Sequence, residues 1–302
     1  MYSLTVFTPT YNRAYCLGVL YESLKAQTSK DFLWLIVDDG SVDNTEELIN
    51  QWKNEGNVEI KFIKQRNMGM VAAHNTAHLN IETELNVCID SDDYMPEDAV
   101  EIINNTWKVH RRDDLMGMVG LDIYRNGKII GKKFPDDFME LTFSEILYKF
   151  KLRGDKKYVL RTDLIKRLLP YPYFENEKFP APSYLYYILE QDYRFLTINK
   201  PLCVVEYLPD GNSMNKMKQY RESPNAFAEY RIIQMKYAYN WNVRFRSAVH
   251  YVSSKLLGNS QRLFGDSPSK LTTLVAFPFG AALAMYIKYT KRKNVNKRLN
   301  KS

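Results

Sequence analysis

The sequence predicts an α/β protein built on a mainly parallel sheet with helices on both faces. Four short apolar, β-branched runs, each about as long as a strand, lie within the first 90 residues. Stretches with helical periodicity separate these runs, as they do in βαβ units. The chain has 302 residues, of which 45% are hydrophobic and 25% charged, so it can fold as one large domain with a smaller appendage.

The predicted strands and helices alternate in order along the first 110 residues. A helix with Leu17, Leu20 and Leu24 on one face follows the first strand, and capping residues with early acids open the second helix at 43–46. Pro96 suits the first turn of a fourth helix. The strands are predicted at 3–8, 32–37, 58–63 and 85–89, and the later helices at 70–80 and from 96 to about 110.

The middle of the chain is less regular, and its end changes character. Short strands are predicted at 118–124, 156–161 and 202–207, with helices near 142–151 and 183–194. After residues 210–213 the chain becomes helical and rich in Tyr, Arg and Lys. We therefore predict one domain over residues 1–215 and a helical C-terminal region over residues 216–302.

The excess positive charge is concentrated at one end of the chain. The formal net charge is +7, and residues 267–302 hold eight Lys or Arg and no Asp or Glu, which leaves about −1 for residues 1–266. The body of the protein is therefore not a basic surface for nucleic acid, and we expect no nucleic-acid partner.

The C-terminal end has the composition of a membrane-surface segment. Residues 271–287 carry no charge, and seven Lys or Arg follow between residues 288 and 301. This segment is shorter than the roughly 20 residues that a spanning helix needs, so it is better suited to dipping into one leaflet of an anionic membrane. The alternative is a core helix followed by a solvated tail.

The cysteines and the start of the chain indicate a reducing compartment. Cys16, Cys88 and Cys203 are odd in number and lack the CxxC spacing of zinc sites, so we expect them to be reduced and buried. The first strand begins at residue 3 without a basic and apolar leader before it. Together these features predict a cytoplasmic location.

Two histidines and a set of tyrosines could bind ligands, but their sequence context predicts structural roles. His74 and His78 share one helix face but have no acidic third ligand nearby in sequence, so we expect a capping or surface role. The many tyrosines between residues 171 and 251 are expected to serve packing or an interfacial belt rather than a stacking platform.

Polar clusters follow all four N-terminal strands. Ligands of open parallel sheets bind beyond the carboxyl ends of the strands. Clusters after four neighbouring strands are therefore expected to converge on one ligand. This convergence is stronger evidence for a ligand site than any single motif. These clusters are residues 8–13, 38–41, 64–69 and 90–93.

Each cluster has side chains or amides suited to part of a nucleotide. Tyr11 offers an aromatic face on which a base can stack, and Asp39 can accept a hydrogen bond from a base N–H or a ribose hydroxyl. Gly69 precedes a helix whose N-terminal amides favour an anion. Asp90 and Asp92 can hold a divalent ion whose remaining ligands are substrate phosphates, and such an ion would neutralise a departing diphosphate.

At these residues the sequence resembles the family 2 glycosyltransferases of the bacterial capsule and exopolysaccharide type, which have the GT-A fold. The resemblance covers roughly residues 2–110 and is weaker through residues 201–207. The matching motifs are Pro-Thr-Tyr-Asn at 9–12, Val-Asp-Asp-Gly-Ser-x-Asp-x-Thr at 37–45, Asn-x-Gly-x-x-x-Ala-x-Asn at 67–75 and Asp-Ser-Asp-Asp at 90–93.

The resemblance implies an inverting transfer of a hexosyl or N-acetylhexosaminyl group from a UDP-sugar to a hydroxyl of a lipid-linked glycan. It implies a nucleotide-binding half, 1–110, and an acceptor-binding half, 111–215, at the cytoplasmic face of a bacterial membrane. Asp92, with Asp90, would ligate Mn²⁺ or Mg²⁺. The residues expected at the nucleotide sugar are Pro9, Thr10, Tyr11, Asn12, Arg13, Asp39, Asn67, Gly69, Asn75, Asp90 and Ser91.

The general base is the point at which this chain departs from the family pattern. Inverting members carry a carboxylate where residues 179–183 read Phe-Pro-Ala-Pro-Ser here. We predict Asp155 and Glu177 as candidate catalytic bases instead, while Glu190 and Asp192 are expected at the surface.

Two other classes of protein are compared with this enzyme. Because the acid is missing, a second hypothesis stays open: a non-catalytic relative that binds nucleotide sugar or glycan within an assembly complex. Nucleotidyl transfer is less favoured because the chain has no Gly-rich, Lys-containing triphosphate loop.

Overall fold

The computed structural model describes residues 2–175, 177, 183–206, 216–260 and 262–290. The chain divides into two compact units, Met1–Met214 and Asn215–Ser302. Three stretches singled out in the sequence lie outside the described residues: most of the proline-containing segment at 179–183, the segment at 207–215, and the basic tail after residue 290.

Within its described residues, the first unit contains an eight-stranded sheet with the strand order β3-β2-β1-β4-β7-β5-β8-β6. The strands are β1 Leu4–Thr10, β2 Phe32–Asp38, β3 Ile60–Lys64, β4 Leu85–Cys88, β5 Leu115–Tyr124, β6 Glu140–Leu141, β7 Lys156–Arg161 and β8 Arg194–Val205. The helices are α1 Ala14–Lys25, α2 Thr45–Glu55, α3 Met70–Asn80, α4 Ala99–His110, α5 Thr162–Lys166 and α6 Tyr184–Leu189. The ends of β1 to β4 lie within two residues of their predicted positions.

The first four strands are parallel, so their carboxyl ends meet at one edge of the sheet. β1 pairs with both β2 and β4, and β2 pairs with β3. In register, Thr10 lies beside Asp38, and Asp38 lies beside Lys64. β7 is antiparallel to β4 and β5, and β8 runs parallel to β5, which makes the sheet mixed but mainly parallel, as predicted.

Successive residues of β1 and β2 point to opposite faces of the sheet, and helices cover both faces. Trp34 belongs to a large core cluster with residues of α1, α2 and α4. Its ring is stacked with the rings of both Tyr21 and Trp52. On the other face, Phe7 and its neighbours pack against α3 through Ala73 and Ala77. These two cores set the position of the strand ends and of the loops that follow them.

The second half of the first unit differs from the sequence-based prediction. The helix predicted at 142–151 is present but short: residues 143–149 are helical, with π-helical hydrogen bonding over Glu145–Lys149, and the short strand β6 precedes them. The helix predicted over 183–194 ends at Leu189, because the chain from Arg194 joins the sheet beside β5. This pairing depends on residues about 80 positions apart in sequence, so local periodicity could not predict it.

The second unit is helical in its described residues. Its helices are α7 Lys216–Glu222, α8 Pro224–Lys236, α9 Trp241–Leu257 and α10 Lys270–Tyr289. Asn240 caps α9 by accepting a hydrogen bond from the Val243 N–H at 3.0 Å. Residues of α8, α9 and α10 share one apolar core around Tyr251 and Val252. The apolar segment 271–287 lies within α10.

Candidate functional site

Hydrogen bonds connect the loops that follow the first four strands, and we call these loops the rim. The Asp39 N–H donates to the Thr10 carbonyl at 2.8 Å, and the Gln65 N–H donates to the Asp38 carbonyl at 2.9 Å. The Ile89 N–H donates to the carbonyl of Phe7 at 3.0 Å. The polar clusters after β1, β2, β3 and β4 therefore lie together at one edge of the sheet.

Asn12 connects the first rim loop to the second through two hydrogen bonds. Its N–H donates to Ser41 Oγ at 2.8 Å, and its Oδ1 accepts from the Val42 N–H at 2.8 Å. Asn12 has a positive φ of 52°, a conformation that asparagine tolerates better than most residues. Asn12 thus shapes the loop that presents Tyr11, whose side chain is 44% exposed and open to stacking.

Asp39 organises the third rim loop with its carboxylate. Oδ1 accepts hydrogen bonds from Gln65 Nε2 at 2.7 Å and from the Met68 N–H at 2.9 Å, and Oδ2 accepts from the Gly69 N–H at 2.7 Å. An ionised carboxylate offers about four acceptor positions. Described residues use three of these positions, and the fourth is suited to a hydrogen-bond donor of a ligand.

The anion at the start of α3 is therefore the carboxylate of Asp39 itself. The sequence predicted that the amides around Gly69 would favour a ligand anion, but the Gly69 and Met68 N–H groups both donate to Asp39. These two amides, which precede α3, are therefore engaged within the protein, and anion binding by the first amides of α3 itself stays a prediction. Gly69 acts by shaping the loop, with a φ of 89°.

Gly40 allows the second and third rim loops to approach closely. Its φ is +81°, and a Cβ at this position would lie 2.9 Å from the backbone nitrogen of Asn67. Any larger residue would therefore push the loop of Asn67 away from Asp39. Asn67 itself is exposed on this loop, on the solvent side of the rim.

The fourth rim loop carries the acidic residues proposed to bind metal. Asp90 is exposed, Ser91 is buried, and the side chain of Asp92 is 19% exposed. Arg13 Nη1 lies 3.5 Å from Asp92 Oδ2, so a cation already faces this carboxylate. Pro9 and Thr10, at the end of β1, complete the set of predicted residues on the rim.

The donor set of this loop fits a hard divalent cation held jointly by protein and substrate. The described residues contain no group of three or more His, Cys, Asp or Glu side chains that would enclose a metal. Mg²⁺ and similar ions are usually held by one or two carboxylates, with phosphate oxygens and water as the other ligands. Asp92 and Asp90 match that arrangement.

Asn75 contacts the backbone of a distant segment, which the sequence did not predict. Its Nδ2 donates to the Tyr171 carbonyl at 3.1 Å, and its Oδ1 accepts from the Tyr171 N–H at 2.7 Å. Both polar groups of its amide are therefore engaged with the backbone of Tyr171. Asn75 therefore anchors the segment around residue 171 on α3, and its role in nucleotide binding stays a prediction.

His74 and His78 are core residues, which corrects the expected capping or surface role. They are 5% and 2% exposed, and both rings pack edge-on against Phe7. Burial lowers the pKa of His74 to about 4 and that of His78 to about 3, so both are neutral at physiological pH. The hydroxyl of Tyr171 lies 3.3 Å from His78 Nε2.

The predicted catalytic bases lie in different environments. Asp155 is exposed and immediately precedes β7, whereas Glu177 is 8% exposed. Burial raises the pKa of Asp122 to about 6, and the charges of Asp155 and Asp90 add to this rise. Asp155 and the acidic rim loop therefore both lie within electrostatic range of Asp122.

Glu190 is buried, contrary to the surface position expected for it. Its carboxylate accepts hydrogen bonds from the Ser144 N–H at 2.7 Å and from Ser144 Oγ at 2.6 Å. Burial raises the pKa of Glu190. It therefore joins α6 to the start of the π-helical turn, while Asp192 is exposed as expected.

A buried charge cluster beneath the acidic rim loop was not predicted. Asp93 Oδ2 lies 4.0 Å from Lys157 Nζ of β7, and the two side chains are only 8% and 12% exposed. Asp93 Oδ1 also accepts from the Glu206 N–H at 3.2 Å. Asp122 of β5 is 3% exposed, and Lys157 lowers its pKa against the effect of burial. The cluster ties the acidic loop to β7 and β8.

We expect Asp39→Asn to destabilise the rim and to weaken binding of UDP, the nucleotide that the family resemblance implies. An amide nitrogen in place of Oδ2 would face the N–H of Gly69, and a lost hydrogen bond to a charged group costs about 1.5–3 kcal/mol. The dissociation constant for UDP should rise about tenfold or more, measured by calorimetry. Glu47→Gln, at an exposed carboxylate of α2, is the matched control and should change neither the stability of the protein nor the dissociation constant for UDP. Unchanged UDP affinity would contradict the role of Asp39.

The mixed sheet, its covering helices and its polar rim define a protein of the GT-A fold class. Comparison with solved structures gives the same result. The chain superposes on Staphylococcus aureus TarS 1–349 in complex with UDP-GlcNAc with a TM-score of 0.61 and 18% identity, covering 95% of this chain and 90% of that one. It superposes on the mannosyltransferase PcManGT from Pyrobaculum calidifontis in complex with GDP-Man and Mn²⁺ with a TM-score of 0.56 and 16% identity, covering 96% and 76%. At these identities the likeness shows the fold alone.

The chain belongs to the glycosyl transferase family 2, whose sequence profile matches residues 5–169. The chain is 28% identical over 226 residues to the poly(ribitol-phosphate) beta-N-acetylglucosaminyltransferase TarP of Staphylococcus aureus (strain N315), covering 66% of this chain and 67% of that protein. It is 32% identical over 114 residues to the glycosyltransferase GlyA of Streptococcus pneumoniae serotype 4. That match covers 38% of this chain but only 16% of the length of GlyA.

Proposed function

We propose that this protein transfers a hexosyl or N-acetylhexosaminyl group from a UDP-sugar to a hydroxyl of a lipid-linked glycan in bacterial surface polysaccharide synthesis. The observation that carries the proposal is the meeting of Tyr11, Asp39 and the acidic loop with Asp92 on one rim. The proposed site of action is the cytoplasmic face of the membrane. TarP, which is similar over two thirds of this chain, is named as an N-acetylglucosaminyltransferase.

The rim residues suit the parts of a UDP-sugar in order. The exposed ring of Tyr11 provides a stacking face for the base. Described residues use three acceptor positions of Asp39, and the fourth is suited to a base N–H or a ribose hydroxyl. Asp92 and Asp90 would hold Mn²⁺ or Mg²⁺, which neutralises the charge of the departing diphosphate when bound. Arg13 lies beside Asp92 and adds positive charge at the same position.

The proposed transfer inverts the anomeric centre in one displacement. The acceptor oxygen forms a bond to the anomeric carbon, the bond from that carbon to the UDP oxygen breaks, and a carboxylate takes the hydroxyl proton. Asp155 and Glu177 remain the proposed candidates for this base. Asp155 is exposed, and its charge, like that of Asp90, raises the pKa of Asp122.

The test of the proposal is a screen of UDP-sugars for Mn²⁺-dependent release of UDP. We expect one UDP-sugar to be hydrolysed slowly without acceptor and faster with a lipid-linked glycan. Removal of one general base typically costs about 10²- to 10⁴-fold in rate. Asp155→Asn or Glu177→Gln should therefore lower kcat by such a factor without changing the KM for the donor.

One outcome would contradict the assignment of the base, and another would contradict the transferase activity itself. Turnover that survives both substitutions together would exclude these two residues as the base. Binding of UDP without turnover of any UDP-sugar would favour a nucleotide-sugar-binding partner of an assembly complex, the alternative that the absence of an acid at residues 179–183 keeps open.

A further inference from the structure

Between Lys270 and Lys288, the outer face of α10 is apolar, which is unusual for a helix at a protein surface. The side chains buried against the second unit are mostly small and recur every three or four residues: Thr273, Ala276, Gly280, Ala284 and Ile287. The opposite face carries large apolar and aromatic side chains that are exposed, namely Leu271, Leu274, Val275, Met285, Tyr286 and Tyr289. A surface helix in water normally has the reverse arrangement, with its large apolar residues inside. A contiguous exposed apolar face of this kind marks a contact site.

Close packing fixes α10 against α9. A Cβ at Gly280 would lie 2.5 Å from Cβ of Val252, so glycine is required for the two helices to approach at this point. α10 is 20 residues long and, among the described helices, is the one long and apolar enough to cross a bilayer. α9, however, carries Arg244, Arg246 and Lys255. A spanning α10 would either pull these charges into the hydrocarbon or separate from α9.

The apolar face continues onto the start of α9 through aromatic rings. Trp241 is 61% exposed and stacks on Phe245 with ring centroids 5.2 Å apart. Phe245 in turn contacts Phe279 of α10 edge-on at 5.8 Å. Tryptophan and tyrosine are the side chains enriched at the boundary between lipid and water. We call the exposed side chains of α10 together with Trp241 the apolar face.

The charge of the two units is strongly divided. Residues 215–302 carry 17 Lys or Arg and three Asp or Glu, a formal net charge of +14. Since the whole chain has a net charge of +7, residues 1–214 carry −7. The unit with the apolar face is therefore the strongly basic one, and anionic lipid headgroups attract it. The same charge disfavours pairing of two copies through this face, because two units of +14 would be brought together.

We propose that the apolar face lies in the plane of an anionic membrane leaflet, with α10 inserted sideways and α9 above it in the headgroup region. This arrangement covers the large side chains of α10 without unpacking α9 and keeps the arginines of α9 in contact with water and headgroups. This arrangement rests on the membrane location in the proposed function and adds the way in which the protein binds the membrane. It concerns how the protein is held, and it does not depend on which sugar is transferred.

The first test is co-sedimentation of the full chain with phosphatidylcholine vesicles, with and without phosphatidylglycerol. We expect binding that needs phosphatidylglycerol and weakens with salt. Leu274→Glu combined with Met285→Glu should reduce binding at least tenfold, since both side chains are about 59% exposed and no packing is lost. Val109→Glu, at an exposed apolar residue of α4, is the matched control and should bind like the unchanged protein.

The second test separates an in-plane helix from a spanning one. Fusions of green fluorescent protein or of alkaline phosphatase to the C-terminus, expressed in a bacterial host, report the side of the membrane on which the C-terminus lies. We expect fluorescence and no phosphatase activity. Phosphatase activity would show a spanning helix and overturn the proposal, and so would a lack of binding to phosphatidylglycerol vesicles.

The remaining outcomes are also decisive. A lipid-free dimer that Leu274→Glu with Met285→Glu dissociates would show that another protein copy covers this face, contrary to the proposal. Hydrolysis of UDP-sugar in detergent should be unchanged by the same pair of substitutions. If the unchanged protein hydrolyses UDP-sugar but does not bind vesicles, the proposal for the apolar face fails and the proposed transferase activity stands. If it binds vesicles but hydrolyses no UDP-sugar, the transferase activity fails and the proposal for the apolar face stands.

Discussion

Replacing Asp92 with asparagine is expected to lower Mn²⁺-dependent turnover of the UDP-sugar by about 10²- to 10³-fold. Asparagine keeps the shape of the side chain but removes the charge that would share the cation with the diphosphate. Stabilisation of a leaving group by a bound metal is worth several kcal/mol, and each 1.36 kcal/mol corresponds to about tenfold in rate. Asp92 is partly exposed and its ion pair with Arg13 is long, so the fold should be unaffected.

The measurement for Asp92→Asn is release of UDP at saturating donor, together with calorimetric titration of Mn²⁺ in the presence of UDP. Asp98→Asn is the matched control. Asp98 is an exposed aspartate six residues further along the chain, and its side chain makes no capping hydrogen bond to α4. We expect Asp98→Asn to retain full activity. Normal turnover and normal Mn²⁺ affinity in Asp92→Asn would refute the metal site.

Replacing Lys157 with methionine is expected to destabilise the first unit by about 3–5 kcal/mol at pH 8. The ammonium group is the positive charge that faces Asp93, and both side chains are largely buried. Removing one partner of a buried ion pair leaves the other as an uncompensated charge, which is costly in a low-dielectric interior. The free energy of unfolding, from urea denaturation in metal-free buffer, provides the measurement.

The loss in Lys157→Met should depend on pH. Burial raises the pKa of Asp93 to about 7 and that of Asp122 to about 6, and Lys157 lowers both. An acid whose pKa rises on folding supports stability at low pH, and this support is lost as the pH rises towards its folded-state pKa. Without Lys157 both pKa values rise further. The destabilisation should therefore be largest above pH 7 and small near pH 5, where both carboxyl groups take up protons.

A second variant keeps this prediction testable. Asp93→Asn combined with Lys157→Met removes both charges, and we expect it to recover part of the lost stability at pH 8. A loss below about 1 kcal/mol in Lys157→Met, or the same loss at pH 5 and pH 8, would show that the cluster is not a buried ion pair.

The N-terminal half of the fold was predictable because its signals are local. A strand buried on both faces is a short apolar run, and a helix on a sheet repeats its apolar residues every three or four positions. Leu17, Leu20 and Leu24 follow that rule and are fully buried. In parallel βαβ units, the carboxyl ends of the strands necessarily meet at one edge. The rim was predicted for this reason.

Predictions that needed contacts between distant residues were less successful. The amide of Asn75 meets the backbone of Tyr171, and Asp93 faces Lys157, but nothing in the intervening sequence indicates either contact. The amides before α3 looked free for a ligand because the sequence does not show that Asp39 reaches them. The histidines of α3 looked like surface residues because the composition around them does not show the side on which Phe7 packs.

The amino-acid sequence by itself determined the order of strands and helices in the first 110 residues, the edge at which the polar loops gather and the division of charge along the chain. Periodicity, turn chemistry and charge all act over a few residues, so they can be read without coordinates. The tertiary structure decided which polar groups remain available at the rim and which face of α10 is exposed. Both features depend on contacts between residues that are distant in sequence. A buried polar group must find a partner within the fold, and the sequence does not show which residue that partner is.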